Sequence, residues 1–242
     1  MFPRPIDAVI FDMDGLLIDS ERIYVAAIMD AGRAVGFDIS EAFCHAMIGL
    51  PGRECDAMIA GHFGPAFPMT DYLSACRTRV AGLIETGIPL KPGAVELIDH
   101  LAERDIPVAV ATSSSRANAE RHLGQSGLLE RFRIVVTRDD VARGKPSPDL
   151  FIRAAQDLGI APERCLSLED SLNGIRAAHA AGTLPIMVPD LLQPTEEIRA
   201  MCIAVVDSLH EVHRLMSVQT TGASTAPDGS SISTSRVDTT SP

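Results

Sequence analysis

Six short apolar runs, the last five spaced by helix-like stretches, constrain this chain more than any other feature. The first, "AVIF" at 8–11, runs straight into "DMDG". "PVAVATS", "FRIVVT", "RCLSLED", "LPIMV" and "IAVVDSL" follow beyond residue 106. Runs this short with no polar face suit strands buried on both sides. Strands alternating with helices predict a parallel sheet covered by helices on both faces.

The segment between the first run and the second is different. From Asp19 or Ser20, either of which can cap a helix, the pattern is helical with breaks up to about Leu90, and no strand is evident. An insertion at that point hangs over the carboxyl ends of the strands, where open α/β sheets bind ligands. The predicted fold is α/β: a Rossmann-like parallel-sheet core (1–16 and 91–216) with an inserted all-helical cap domain (17–90). Residues 217–242 are rich in Ser, Thr, Gly and Pro and are expected to form a disordered tail.

Charge and composition narrow the function. Apolar residues make up 46%, enough for a sizeable core, and the net charge of −11 argues against general nucleic-acid binding. No apolar run approaches the roughly 20 residues that span a membrane, and no apolar leader segment precedes the first acids. Five scattered cysteines without a CxxC pair read as reduced thiols, which fits a cytoplasmic protein. A monomer is expected, with a homodimer as the alternative.

The predicted strand ends carry the chemistry. The first ends in Asp12 and Asp14, the second in Thr112 and Ser113, and "CLSLED" ends in Glu169 and Asp170. In a parallel sheet these ends converge on one edge. Lys145, in the loop "RGKPSPD", is one of only two lysines in the chain, against nineteen arginines. A compact ammonium there can reach a carboxylate and a phosphate together.

Four carboxylates at one point cannot all stay ionised unpaired. Lys145 offsets one charge, and a hard divalent cation with oxygen ligands, Mg²⁺, would offset two more. Mg²⁺ prefers few protein carboxylates plus phosphate oxygens and water, so a small-molecule phosphate ester suits the gap. Thr112, the backbone N–H of Ser113 and Lys145 can hold its oxygens. Asp12 can attack phosphorus to form an aspartyl phosphate, and Asp14 can protonate the leaving oxygen and then activate water.

"DMDGLLIDSE", "ATSS", "GKPSPD" and "LEDSLNG" resemble the four ordered motifs of the haloacid dehalogenase superfamily, and more narrowly its helical-cap phosphatases and beta-phosphoglucomutases. The resemblance implies a nucleophile at Asp12 and an acid/base at Asp14. It implies Thr112 and Lys145 as phosphate binders. It implies Mg²⁺ held by Asp12, the backbone carbonyl of Asp14, and Asp170, with Glu169 near or in the metal shell. Asp14 disfavours C–halogen cleavage, since two-carbon dehalogenases lack an acid there. The absence of any lysine between Glu21 and Leu90 disfavours Schiff-base phosphonate chemistry.

The function this implies is a Mg²⁺-dependent phosphomonoesterase acting on a sugar phosphate or nucleoside monophosphate. A sugar-phosphate mutase is the alternative. The chain has Tyr24 where such mutases carry a cap histidine, and no cap lysine. A phosphoacceptor signalling module is a further alternative, though such modules are usually half this size. Within the cap, Tyr24 and Arg53 are candidate substrate contacts. His45 and His62 are expected at the surface or in packing.

Overall fold

The structure is a computed structural model and describes residues 2–48, 50, 52–85 and 87–219. At its centre lies a six-stranded parallel sheet, formed by β1 (Ala8–Phe11), β2 (Val108–Ala111), β3 (Ile134–Val136), β4 (Cys165–Glu169), β5 (Leu184–Met187) and β6 (Ala204–Val205). The spatial order is β3-β2-β1-β4-β5-β6. β1 is therefore the point where the winding reverses, and the ends of β2 and β4 flank its own.

Strand alternation sorts the core into two layers. Val9 and Phe11 face one side with Val108, Val110, Leu166 and Leu168. There they meet α5 (Ala94–Ala102), α6 (Arg116–Gln125) and α10 (Leu209–Gln219). Ala8, Ile10, Ala109 and Ala111 face the other side. They are covered by α7 (Asp149–Leu158) and α8 (Leu172–Ala180), through Phe151, Ala154 and Ala177. The small alanines on this face let the helices approach the sheet closely. A last short helix, α9 (Glu196–Met201), packs Ile198 against Ile175 and Met187.

The run "IAVVDSL" forms only the two-residue β6, because an edge strand pairs on one side alone. Backbone bonds from Ile203 to Pro185 (2.8 Å) and from Val206 to Met187 (2.9 Å) continue the pairing on either side of it.

Between β1 and β2 come α1 (Ser20–Ala34), α2 (Glu41–His45), α3 (Gly52–Phe63) and α4 (Met69–Glu85). These helices have a core of their own, built on Ile39, Met47, Ile59, Phe67 and Tyr72. Phe37, Phe63 and Phe67 extend it with ring centroids 4.9–5.5 Å apart. Both chain connections to the sheet run side by side. Asp19 N donates to Pro89 O at 2.8 Å, and Lys91 N donates to Leu17 O at 2.9 Å. Ser217, Val218 and Gln219, which the sequence reading gave to the tail, lie in α10. The remainder of that expected tail, 220–242, falls outside the described residues.

Candidate active site

The site grows from the end of β1. Asp12 continues the strand, its N–H donating to Leu168 O at 2.9 Å, and its side chain is nearly buried. The backbone then turns sharply at Gly15, where φ is +83°. A Cβ there would lie 2.2 Å from Asp170 Oδ2, so glycine is required both for the turn and for the approach of Asp170.

Glu169 closes β4 with no exposed surface, and Asp170 follows it, almost as deeply buried. Carboxylate oxygens of Asp12, Glu169 and Asp170 all lie within 4.8 Å of one another.

Lys145 enters from the loop before α7 with a side chain only 5% exposed. Its ammonium donates to Asp12 Oδ1, to Glu169 Oε1 at 2.5 Å and to Ala111 O at 2.8 Å. All three of its hydrogens are thereby used. The other oxygen of Glu169 accepts from Ser171 N at 3.2 Å and from Ser171 Oγ at 3.0 Å. Behind it, Gly174 leaves no room for a side chain, because a Cβ there would lie 1.9 Å from the Glu169 carboxyl carbon.

One ammonium does not balance three buried carboxylates. Burial, reinforced by Glu169 and Asp14 against the pull of Lys145, pushes Asp12 up to about 8. Burial together with Asp12 and Glu169 raises Asp170 well above the carboxylate range. Lys145 is itself raised, because its two carboxylate partners outweigh its burial. The cluster lacks positive charge, and its donors are oxygen alone. Both features fit a hard divalent cation.

Asp14 stands apart from this cluster. Its Oδ1 accepts from Ser20 Oγ at 2.6 Å and its Oδ2 from Ser114 Oγ at 2.8 Å. His122 Nδ1 lies 3.9 Å from Oδ1, beyond ordinary hydrogen-bond distance. Burial opposes ionisation of Asp14, yet His122 and the two hydroxyls outweigh it and hold its carboxyl below the usual range. Ser20 therefore serves Asp14 and not the start of α1. Asp19 occupies that cap position without a capping bond and pairs with Arg22.

Thr112 is buried just beyond β2, and its Oγ1 accepts from Ser114 N at 3.0 Å, which leaves the hydroxyl hydrogen free to donate. Ser113 is exposed in the same turn. A cavity of about 670 Å³ opens over Asp12, Asp14, Thr112, Lys145 and Asp170 and extends into the helical segment, where Tyr24 lines it. A separate recess of about 650 Å³ between α1 and α4, around Asp30 and Arg79, holds none of these groups.

The structure thus brings together Asp12, Asp14, Thr112, Ser113, Lys145, Asp170 and Tyr24 around one cavity, with Glu169 beneath it. Arg53 is not among the residues lining the cavity and is exposed in the first turn of α3. His62 packs between Phe43 and Phe63, both at 4.6 Å. The sequence reading did not single out Ser114 or His122. A run of three serines follows Thr112, with nothing in the sequence to favour one of them, and His122 reads there only as one residue of a helix.

A model of the haloacid dehalogenase-like hydrolase family matches residues 6–182. The chain belongs to that family. It is 33% identical over 197 residues to a probable pseudouridine-5'-phosphatase of Drosophila melanogaster, covering 77% of this chain and 83% of that protein. It is 32% identical over 193 residues to hexitol phosphatase B of Escherichia coli K12, covering 77% of this chain and 85% of the relative. Among solved structures, CbbY from Rhodobacter sphaeroides in complex with phosphate superposes with a TM-score of 0.71 at 33% identity, covering 86% of this chain and 96% of that one. The chain is a hydrolase of the phosphatase type, and the buried carboxylates at the end of its sheet are able to hold a divalent cation. Among the described residues, no helix is long and apolar enough to cross a membrane.

Proposed function

We propose that this protein is a Mg²⁺-dependent phosphomonoesterase that hydrolyses a small phosphorylated metabolite, a sugar phosphate or nucleoside monophosphate, through a phosphoenzyme on Asp12. The observation that carries the reading is the pairing of Lys145 with both Asp12 and Glu169 at the floor of a cavity that Asp14 also lines. The phosphatase names of the two relatives support hydrolysis over the mutase alternative.

Lys145 fixes one oxygen of Asp12 and favours its ionised form, leaving the other oxygen to attack phosphorus. The P–O bond to the leaving group breaks as the Asp12–phosphorus bond forms, and the departing oxygen takes its proton from Asp14. Water then attacks the phosphoenzyme and gives a proton back to Asp14, releasing inorganic phosphate and restoring Asp12. In the resting site Asp14 is held ionised, the form the second step needs. A dianionic phosphate docking beside it raises its proton affinity for the first step. Thr112 Oγ1 and the N–H of Ser113 hold the phosphoryl oxygens, and Lys145, its hydrogens given to Asp12, Glu169 and Ala111, adds its positive charge beside them.

The cation would be held by Asp12, Asp170 and the backbone carbonyl of Asp14, with Glu169 at its edge. When bound it supplies positive charge against the phosphoryl oxygens. Helices α1–α4, residues 17–90, act as a cap that closes over the cavity and excludes bulk water. The enzyme works as a monomer in the cytoplasm, where its five free cysteines stay reduced.

The test is phosphate release from p-nitrophenyl phosphate. Turnover should require Mg²⁺, stop on chelation and vanish in Asp12→Asn. Equal turnover by that variant would remove Asp12 as nucleophile.

A further inference from the structure

We propose, building on the phosphatase reading, that the cavity takes nucleoside monophosphates: an ester with one phosphate whose leaving group carries a planar, largely apolar body and no second anion.

The helical side of the cavity is what selects the leaving group. α1 turns Tyr24, Val25 and Ile28 toward it at helical spacing, all half-buried. α4 contributes Leu73 and Cys76, three residues apart, and α3 contributes Cys55 and Ile59, four apart. Three helices thus aim apolar stripes at one space. The charged groups lining this side, among the described residues, are Glu21 and Asp56, and both are acidic. Burial, aided by Asp14, Asp190 and Asp19, pushes Glu21 up to about 7, so it already sits in a desolvated place.

Among the described residues, the basic groups that line the cavity are Lys145 and Arg138, both on the sheet side. Lys145 is committed to Asp12 and Glu169, and Arg138 has Asp139 within 3.6 Å. A second phosphate reaching under the helices would meet carbon and two carboxylates, with no cation among the described residues to offset its desolvation. A polyol chain fares little better, since it brings more hydroxyls than Glu21 and Asp56 can accept and leaves the rest facing carbon. A nucleobase matches both features of the wall. Its faces lie against the aliphatic side chains and the Tyr24 ring, and its N–H groups or the ribose hydroxyls donate to Glu21 and Asp56. At about 670 Å³ the cavity is in the size class that encloses such a ligand.

The experiment compares kcat/KM for uridine, cytidine, adenosine and guanosine 5'-monophosphates with those for glucose 6-phosphate, sorbitol 6-phosphate and fructose 1,6-bisphosphate, using p-nitrophenyl phosphate as the control for phosphatase chemistry. The best nucleotide should exceed the best monophosphorylated sugar by about tenfold or more, and the bisphosphate should be slowest. Leu73→Arg, which puts a cation into the apolar wall, should lower the nucleotide value and raise the bisphosphate value. Asp56→Asn should raise KM for the nucleotide more than for p-nitrophenyl phosphate. A sugar phosphate or bisphosphate preferred over every nucleotide, with the control ester still hydrolysed, overturns this inference and leaves the phosphatase reading standing. Inertness toward the control and all the esters in Mg²⁺ overturns both.

Discussion

Ser114 Oγ donates to Asp14 Oδ2 at 2.8 Å, joining the turn after β2 to the turn after β1 across 100 residues of sequence. With Ser20 on the opposite oxygen, it fixes the carboxyl group at the edge of the cavity and biases it toward the charged form. Neither serine touches the Asp12–Lys145 pair, so removing one disturbs the proton-transferring group alone.

Ser114→Ala should therefore lower kcat for p-nitrophenyl phosphate by about tenfold, the equivalent of about 1.4 kcal/mol, with a smaller change in KM. Steady-state kinetics checks this, and an unchanged kcat would show that the bond has no part in positioning Asp14.

Mg²⁺ should stabilise the folded protein in the absence of any substrate. At a hundred times its Kd a ligand of the native state adds about 2.7 kcal/mol, seen as a rise in Tm that chelation reverses. Asp170→Asn should abolish that rise. In metal-free buffer the same variant should be at least as stable as the wild type, because it removes one of three crowded, buried carboxylates that a single ammonium leaves unbalanced. A variant that is weaker without metal and still gains from Mg²⁺ contradicts this account of the cluster.

Gly174→Ala tests the wall behind Glu169. The added methyl would lie 1.9 Å from the Glu169 carboxyl carbon, and that side chain is anchored by Lys145 and Ser171. It can move only by releasing those bonds. The expected cost is about 1–3 kcal/mol in the urea midpoint, with a loss of turnover as Lys145 shifts from Asp12. A neutral outcome by both measures would mean that Glu169 does not hold Lys145 in place.

Much of this was legible in the sequence, for a physical reason. Strands buried on both faces must be apolar throughout, so β1, β2, β4 and β5 stand out as runs. A parallel sheet must gather its carboxyl ends, so Asp12, Thr112 and Asp170 had to be neighbours. What was not legible depends on angles smaller than an element. Successive residues of α3 differ by about 100° around its axis, which aims Cys55, Asp56 and Ile59 at the cavity and leaves Arg53 outside it. In the turn after β2, backbone geometry decides that Ser114 reaches Asp14 while Ser113 stays exposed. Ser20 looked like a helix cap because its type and position suit one, but the nearby Asp14 is the stronger partner for its hydroxyl.

The turn after β3, tied to the first residue of α6, offers a pH-dependent test outside the cavity. Asp140 Oδ2 accepts from Thr137 N at 2.7 Å, from Thr137 Oγ1 at 2.8 Å and from Arg116 Nη2 at 2.5 Å. Burial disfavours its charge, but the Thr137 bonds and Arg116 outweigh burial and hold its carboxyl below the ordinary value of 3.8. A carboxyl depressed on folding contributes stability above its unfolded value and loses it as pH falls through the folded one. Asp140→Asn keeps the shape and removes the charge. It should cost about 1 kcal/mol at neutral pH, the margin of a charged over a neutral acceptor. The gap between wild type and variant should stay constant down to about pH 5 and close below the ordinary value of 3.8, where both side chains are neutral. Urea unfolding across that range measures the gap. A difference that persists unchanged into strong acid would mean that shape, not charge, is what Asp140 contributes.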